Sequence, residues 1–190
     1  ENSSDTIYGL LNGSKEFAQV VKKTRFDSLD IISSNVDLSG LEVETAGDSN
    51  RAFILKAKLT AYLNSSRGLY DYILIDCPPT LGLLSMNSLC AADYLIVTLQ
   101  SEYLAMEGLG QITSVIDKLK TAQVNPELKL GGIIMTMYDG RTRLSYEVWQ
   151  EVNKFYANSV FRTAIPRNSR LSEAPSFGQT VFEYAPESAG

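Results

Sequence analysis

Tyr70-Asp71-Tyr72-Ile73-Leu74-Ile75-Asp76-Cys77-Pro78-Pro79 is the stretch on which the reading of this chain turns. Unbroken apolar character over residues 72–75 predicts a short strand buried on both faces, as in a parallel sheet. Proline offers no N–H to a ladder, so the two prolines end the strand at Asp76. One carboxylate then stands at the carboxyl end of a central strand, where open α/β sheets place their ligands. Taken alone, Asp76 fits equally well as a turn-favouring residue that closes a strand.

Working outward, apolar runs at 94–99 and 132–137 read as further buried strands. Between and after them lie amphipathic helices. Residues 102–121 carry a stripe of Leu104, Leu109, Ile112, Val115, Ile116 and Leu119, and residues 83–90 and 145–157 read as helices too. Upstream, Phe53, Leu55, Leu59 and Leu63 recur at near-helical spacing over 51–63. Asp5 or Thr6 caps a short helix that Asn12-Gly13 ends. Residues 29–33 read as a short buried strand, and 38–46 stay ambiguous, with a short helix as one reading. Strands alternating with helices predict parallel β-α units. The expected fold class is therefore α/β, a three-layer sandwich with a mostly parallel sheet, in a single domain over residues 1–190.

Composition narrows the chemistry. The chain contains no histidine, which removes Ser-His-Asp and Cys-His catalysis and His-ligated zinc. Cys77 and Cys90 have neither metal nor redox spacing, and Cys77 reads as a buried small side chain rather than a nucleophile. What remains is chemistry done by positioning and charge, with phosphoryl transfer as the main example. No stretch is long and apolar enough to span a bilayer. The net charge of −5 opposes uniform attraction to nucleic acid. Yet residues 141–170 hold six basic residues against Glu147 and Glu151, a local +4 that leaves −9 on the rest. Such arginines read either as a phosphate-binding patch or as solvated side chains paired with acids.

The longer motifs carry a resemblance. Asp76-Cys77-Pro78-Pro79-Thr80-Leu81-Gly82 is followed by Gln100-Ser101-Glu102-Tyr103-Leu104-Ala105-Met106-Glu107-Gly108, then by Ile165-Pro166-Arg167-Asn168-Ser169-Arg170-Leu171-Ser172-Glu173-Ala174-Pro175. In order and spacing they resemble the ParA/Soj family of partitioning ATPases with a deviant Walker motif, from about Tyr70 to the end and only weakly before it. The resemblance implies a P-loop NTPase-like fold whose cofactors are ATP and Mg²⁺. In it Asp76 is the acid that holds Mg²⁺ through a water, and Pro166 and Asn168 contact the adenine base. Arg141 and Arg170 bind DNA, with Arg143 and Arg167 as weaker candidates. Glu102 and Glu107 lie near the dimer face and the partner site, a role balanced against simple complementing of a helix dipole.

The family's glycine-rich phosphate loop has no counterpart in these residues; Gly13-Ser14-Lys15 is only a faint echo. The expectation is a chain that lacks the N-terminal part of its fold, also stops short at the C-terminus, contains no catalytic residue in the strict sense, and is inactive alone. The implied whole protein dimerises with ATP, binds DNA without sequence preference, works with a ParB-like protein in the cytoplasm at the nucleoid, and does not engage membrane. Two alternatives stand beside it: a MinD-like membrane-cycling ATPase, and a nucleotide-independent scaffold or DNA-binding module.

Overall fold

In the computed structural model, which describes residues 5–65 and 69–189, the chain divides into two units, Glu1–Ala92 and Asp93–Gly190. The first unit begins with α1 (Ile7–Leu11), which ends where Asn12 and a left-handed Gly13 reverse the chain. Thr6 takes the N-cap position without a side-chain cap bond, while Asp5 pairs with Lys15 Nζ at 2.8 Å. Glu16 and Gln19 form a reciprocal capping box that starts α2 (Phe17–Val20). The two-residue strands β1 (Lys22–Lys23) and β2 (Asp30–Ile31) pair antiparallel. A 3-10 turn (Val36–Gly40) leads into α3 (Leu41–Glu44), and another (Arg51–Phe53) into α4 (Ile54–Ser65). The unit closes with α5 (Leu83–Ala91).

Two small cores hold this unit, one of Leu10, Phe17 and Val20 and one of Leu11, Leu41 and Leu55. Burying each such side chain stabilises by about 1.5–3 kcal/mol. Asn87 on α5 is buried but satisfied: its Oδ1 accepts from the Leu55 N–H at 3.0 Å, and its Nδ2 donates to the Arg51 carbonyl at 2.8 Å. A buried amide paired on both sides fixes where α4 starts against α5.

Two strand expectations in this unit are corrected. Only Asp30–Ile31 of the 29–33 run enters a ladder, and Leu29 and Ile31 are exposed rather than buried. The 72–76 run forms no strand, Tyr72 and Leu74 are 87% and 88% exposed, and Cys77 just after it is exposed rather than buried. A strand exists only where neighbouring backbone satisfies its N–H and C=O groups, and no described residue pairs with this one. Hydrophobic pattern alone therefore did not suffice.

The second unit is built on β3 (Tyr94–Gln100), α6 (Ala105–Thr121), β4 (Lys129–Thr136) and α7 (Arg143–Tyr156). β3 and β4 are parallel, with Val97 opposite Ile133 and Leu99 opposite Met135. These four side chains share one face of the sheet. Leu109 of α6 and Val148 and Val152 of α7 pack on that face and complete the unit's main core. Val148 and Val152 lie four residues apart, on one side of α7. The chain after α7 then runs along β4 in the same direction. The Ile133 N–H bonds Ser159 O at 2.7 Å, and the Ile165 N–H bonds Met135 O at 2.8 Å. Gly132 leaves room for the close approach of Phe161: a Cβ there would lie 2.2 Å from the ring, which would have to shift toward solvent. The unit ends with α8 (Ser169–Glu173), a 3-10 turn (Ala174–Phe177) closed by left-handed Gly178, and α9 (Val181–Tyr184). An α/β arrangement on a parallel sheet is thus present as expected, and the strands at 94–99 and 132–137 and the helices at 83–90 and 145–157 are found within a few residues of their expected bounds. The long helix starts at Ala105 rather than Glu102, because residues 101–104 form the turn that leaves β3.

Candidate functional site

At the carboxyl ends of β3 and β4 the second unit opens into a cleft of about 500 Å³. Gln100, Ser101 and Glu102 enter it from the end of β3, and Met137 and Asp139 from the end of β4. Thr142, Leu144 and Ser145 bring the start of α7, and Arg167 comes from the segment that runs along β4. Open α/β sheets bind ligands at this place because loops diverge there and helix N-termini point their N–H groups into the gap. Thr142 caps α7 by accepting from the Ser145 N–H at 3.3 Å. Ser101 is buried, and its hydroxyl has no hydrogen-bond partner among the described residues.

Met137 holds φ at +51°, a left-handed conformation uncommon for a residue with a side chain. The segment beside it keeps the loop there: the Tyr138 N–H donates to Ile165 O at 3.0 Å, and the Arg167 N–H donates to Tyr138 O at 3.1 Å. Backbone strain that the surrounding structure over-determines is a mark of ligand-binding loops.

Beside the cleft, Arg141 grips Asp139. Its Nε donates to Oδ1 at 2.9 Å and its Nη2 to Oδ2 at 2.7 Å, and its backbone N–H adds a bond to Oδ1 at 3.1 Å. This two-pronged hydrogen bonding, with Arg167 adding positive charge, holds the Asp139 carboxyl down at about 2. The same pairing raises the Arg141 guanidinium above its ordinary value.

The residues singled out from sequence fall as follows. Pro166 is half-buried and bridged to Tyr138, next to cleft-lining Arg167. Asn168 is engaged at both ends of its amide: Oδ1 caps α8 by accepting from the Arg170 N–H at 3.0 Å, and Nδ2 donates to Ala189 O at 2.6 Å. Arg170 donates to Glu173 Oε2 at 2.8 Å and lies over the Tyr184 ring. The Arg170 hydrogen bond, joined by one from the Tyr184 hydroxyl, lowers the Glu173 carboxyl. Glu102 is exposed at the cleft, and Glu107 is exposed in the first turn of α6.

Asp76 belongs to the first unit, exposed on the irregular 72–80 segment. Neighbouring Ser85 donates to the Pro78 and Thr80 carbonyls and shapes the turn that follows. Among the described residues no three His, Cys, Asp or Glu side chains gather as a metal cage. A lone exposed carboxylate suits Mg²⁺, which keeps several waters and takes its other ligands from phosphate.

Sequence reading missed Asp139, Met137, Ser101 and Thr142. The Thr142-x-x-Ser145 cap and the Asp139-Gly140 turn pair were legible signals. Nothing in the sequence marked Met137 as left-handed or Ser101 as unpartnered.

A family model described as an AAA domain, AAA_31, matches residues 1–130. The chain is 41% identical over 190 residues, 100% of this chain and 65% of the relative, to the chromosome partitioning protein ParA of Myxococcus xanthus. It is 40% identical over 184 residues, 97% of this chain and 71% of the relative, to the sporulation initiation inhibitor protein Soj of Bacillus subtilis. The chain thus spans about two thirds of the length of these curated relatives, and the likeness includes residues before Tyr70, where only a weak match was expected. Among solved structures, a cobyrinic acid a,c-diamide synthase from Mycobacterium smegmatis with bound ATP analog and magnesium superposes with a TM-score of 0.75 at 35% identity. That match covers 86% of this chain and 63% of the other. A variant of Cyanothece McdA in complex with ATP superposes with a TM-score of 0.82 at 21% identity, over 97% of this chain and 71% of the other, and shares the fold.

Proposed function

The chain belongs to the ParA/Soj family, and on that basis we propose that it is part of an ATPase that segregates a chromosome or plasmid. The observation that carries this reading is the identity of about 40% to chromosome partitioning proteins along nearly the whole of this chain, joined to a cleft at the strand ends of the second unit. In the proposed protein, ATP and Mg²⁺ are the cofactors. Magnesium, when bound, neutralises charge on the phosphates. Asp76 orients the ion through a water, which a single exposed carboxylate can do.

The adenine base is assigned to Pro166 and Asn168, beside the cleft lined by Met137 and Arg167. Pro166 offers a rigid apolar face and a carbonyl, and Asn168 offers both a donor and an acceptor. ATP holds two subunits together, with Glu102 and Glu107 on the face that meets the second subunit or a ParB-like partner. Arg141 and Arg170 contact DNA phosphates without reading sequence, because a planar guanidinium matches the phosphate fork and carries no base information. Dimerisation doubles the patch, so ATP controls DNA affinity steeply. The proposed setting is the cytoplasm, at the nucleoid. No described helix is long and apolar enough to cross a membrane.

The test is Mg²⁺-dependent ATP hydrolysis by the full gene product beside its Asp76→Ala variant. The reading expects hydrolysis in the parent and a loss of about 100-fold or more in the variant, with folding retained. Equal turnover in both returns Asp76 to a plain turn residue. These 190 residues hold no glycine-rich phosphate loop, so the chain alone is expected to bind ATP weakly.

A further inference from the structure

Both arginines assigned to DNA are already occupied by carboxylates of this chain. Arg141 makes two parallel bonds to Asp139, and Arg170 bonds Glu173. The geometry on the Asp139 side is that of an arginine on phosphate: two N–H groups of one fork meet two oxygens of one anion. The partners are also unequal in exposure. The Arg141 side chain is 90% exposed, whereas the Asp139 side chain is 23% exposed and held at the base of the loop, where it also accepts from the Arg141 N–H. The acid is therefore fixed to the body and the arginine is the movable member. Glu173 is likewise anchored, since Tyr184 OH donates to the same Oε2 at 3.1 Å.

We propose that Asp139 and Glu173 are internal competitors for DNA phosphate, each holding one arginine of the surface in a latch that DNA must displace. The proposal rests on the DNA role assigned to Arg141 and Arg170. Opening a latch exchanges one anion for another at the same fork, so the cost falls on the acid left behind beside DNA. Two separate pairs, one in the loop before α7 and one on α8, then set the threshold together. In an ATP-held dimer each is counted twice, so DNA binds only when enough phosphates engage at once. Exposed ion pairs are individually weak, which keeps the latch easy to open.

The test uses the full gene product with a non-hydrolysed ATP analogue and measures retention of mixed-sequence duplex DNA. Asp139→Asn and Glu173→Gln are each expected to tighten DNA binding by about two- to fivefold per subunit. Arg141→Ala is expected to weaken it, and Asp139→Asn added to Arg141→Ala is expected to restore nothing. A gain from Asp139→Asn that persists without Arg141 means only a less negative surface, and overturns the latch. No gain from either acid variant, with Arg141→Ala and Arg170→Ala still weakened, overturns the latch and leaves the DNA reading intact. Parent-level retention in both alanine variants removes the DNA reading, and the latch with it.

Discussion

Asn168 reaches 21 positions along the chain to donate its side-chain amide to the Ala189 carbonyl at 2.6 Å, while its own carbonyl oxygen caps α8. The residue assigned to adenine is thus a structural cap and a tether at once. Nδ2 carries two N–H groups, so reading the base with one leaves the other on Ala189.

The two roles separate by substitution. Asn168→Ser keeps a cap oxygen but has no amide to offer. It is expected to cost about 1 kcal/mol through the lost Ala189 bond, and Asn168→Ala about 1 kcal/mol more through the lost cap. Both are expected to weaken ATP binding in the full gene product. Urea unfolding and calorimetric titration check this, and a serine variant that binds ATP as tightly as the parent removes Asn168 from the base site.

Gly132 and Phe161 form a second coupled pair. Gly132→Ala places a methyl group 2.2 Å from the Phe161 ring, and overpacking of this kind costs about 1–3 kcal/mol. The cost should shrink when Phe161→Leu opens the space. Urea midpoints for the two single variants and the double variant measure the coupling, and strictly additive effects mean the ring moves aside freely.

The contrast between these pairs and the 72–76 segment shows what the sequence made legible. Helices and strands whose apolar spacing is satisfied within a few neighbouring elements, such as β3, β4 and α7, were readable from periodicity. The Tyr72-Ile73-Leu74-Ile75 run has the same apolar character but no ladder partner among the described residues, so its pattern did not become a strand. Candidate residues were legible only through long motifs. Those motifs carried Arg170 and Asn168, and Arg141 came only from its place in the resemblance; neither named the Asp139, Glu173 and Ala189 atoms that hold them. The Arg170–Glu173 pair has helical i,i+3 spacing and was open to reading from spacing, whereas the Asp139 and Ala189 contacts depend on loop geometry that residue type does not encode.

Asp139 gives a prediction in pH. Its carboxyl is held at about 2, below its ordinary 3.8, by the Arg141 hydrogen bonds. A depressed acid contributes stability that is complete above its unfolded value and is lost as pH falls through its folded one. The contribution should therefore fade between about pH 4 and pH 2. Carboxyl NMR titration of the chain should show the low value and its rise toward the ordinary carboxylate range in Arg141→Ala, which loses the guanidinium but keeps the backbone N–H. An unchanged titration in that variant contradicts the paired geometry.

The central claim is ATP-controlled binding of DNA through a local patch on an otherwise acidic chain. The direct measurement is DNA retention by the full gene product across a salt series, with and without a non-hydrolysed ATP analogue. Parent protein is compared with Arg141→Glu and Arg170→Glu, alongside sizing of the same samples. The account predicts DNA binding only with the analogue, falling steeply with salt, and lost in both variants while the ATP-held dimer persists. Binding that ignores nucleotide, or variants that hold DNA like the parent at every salt, would contradict it.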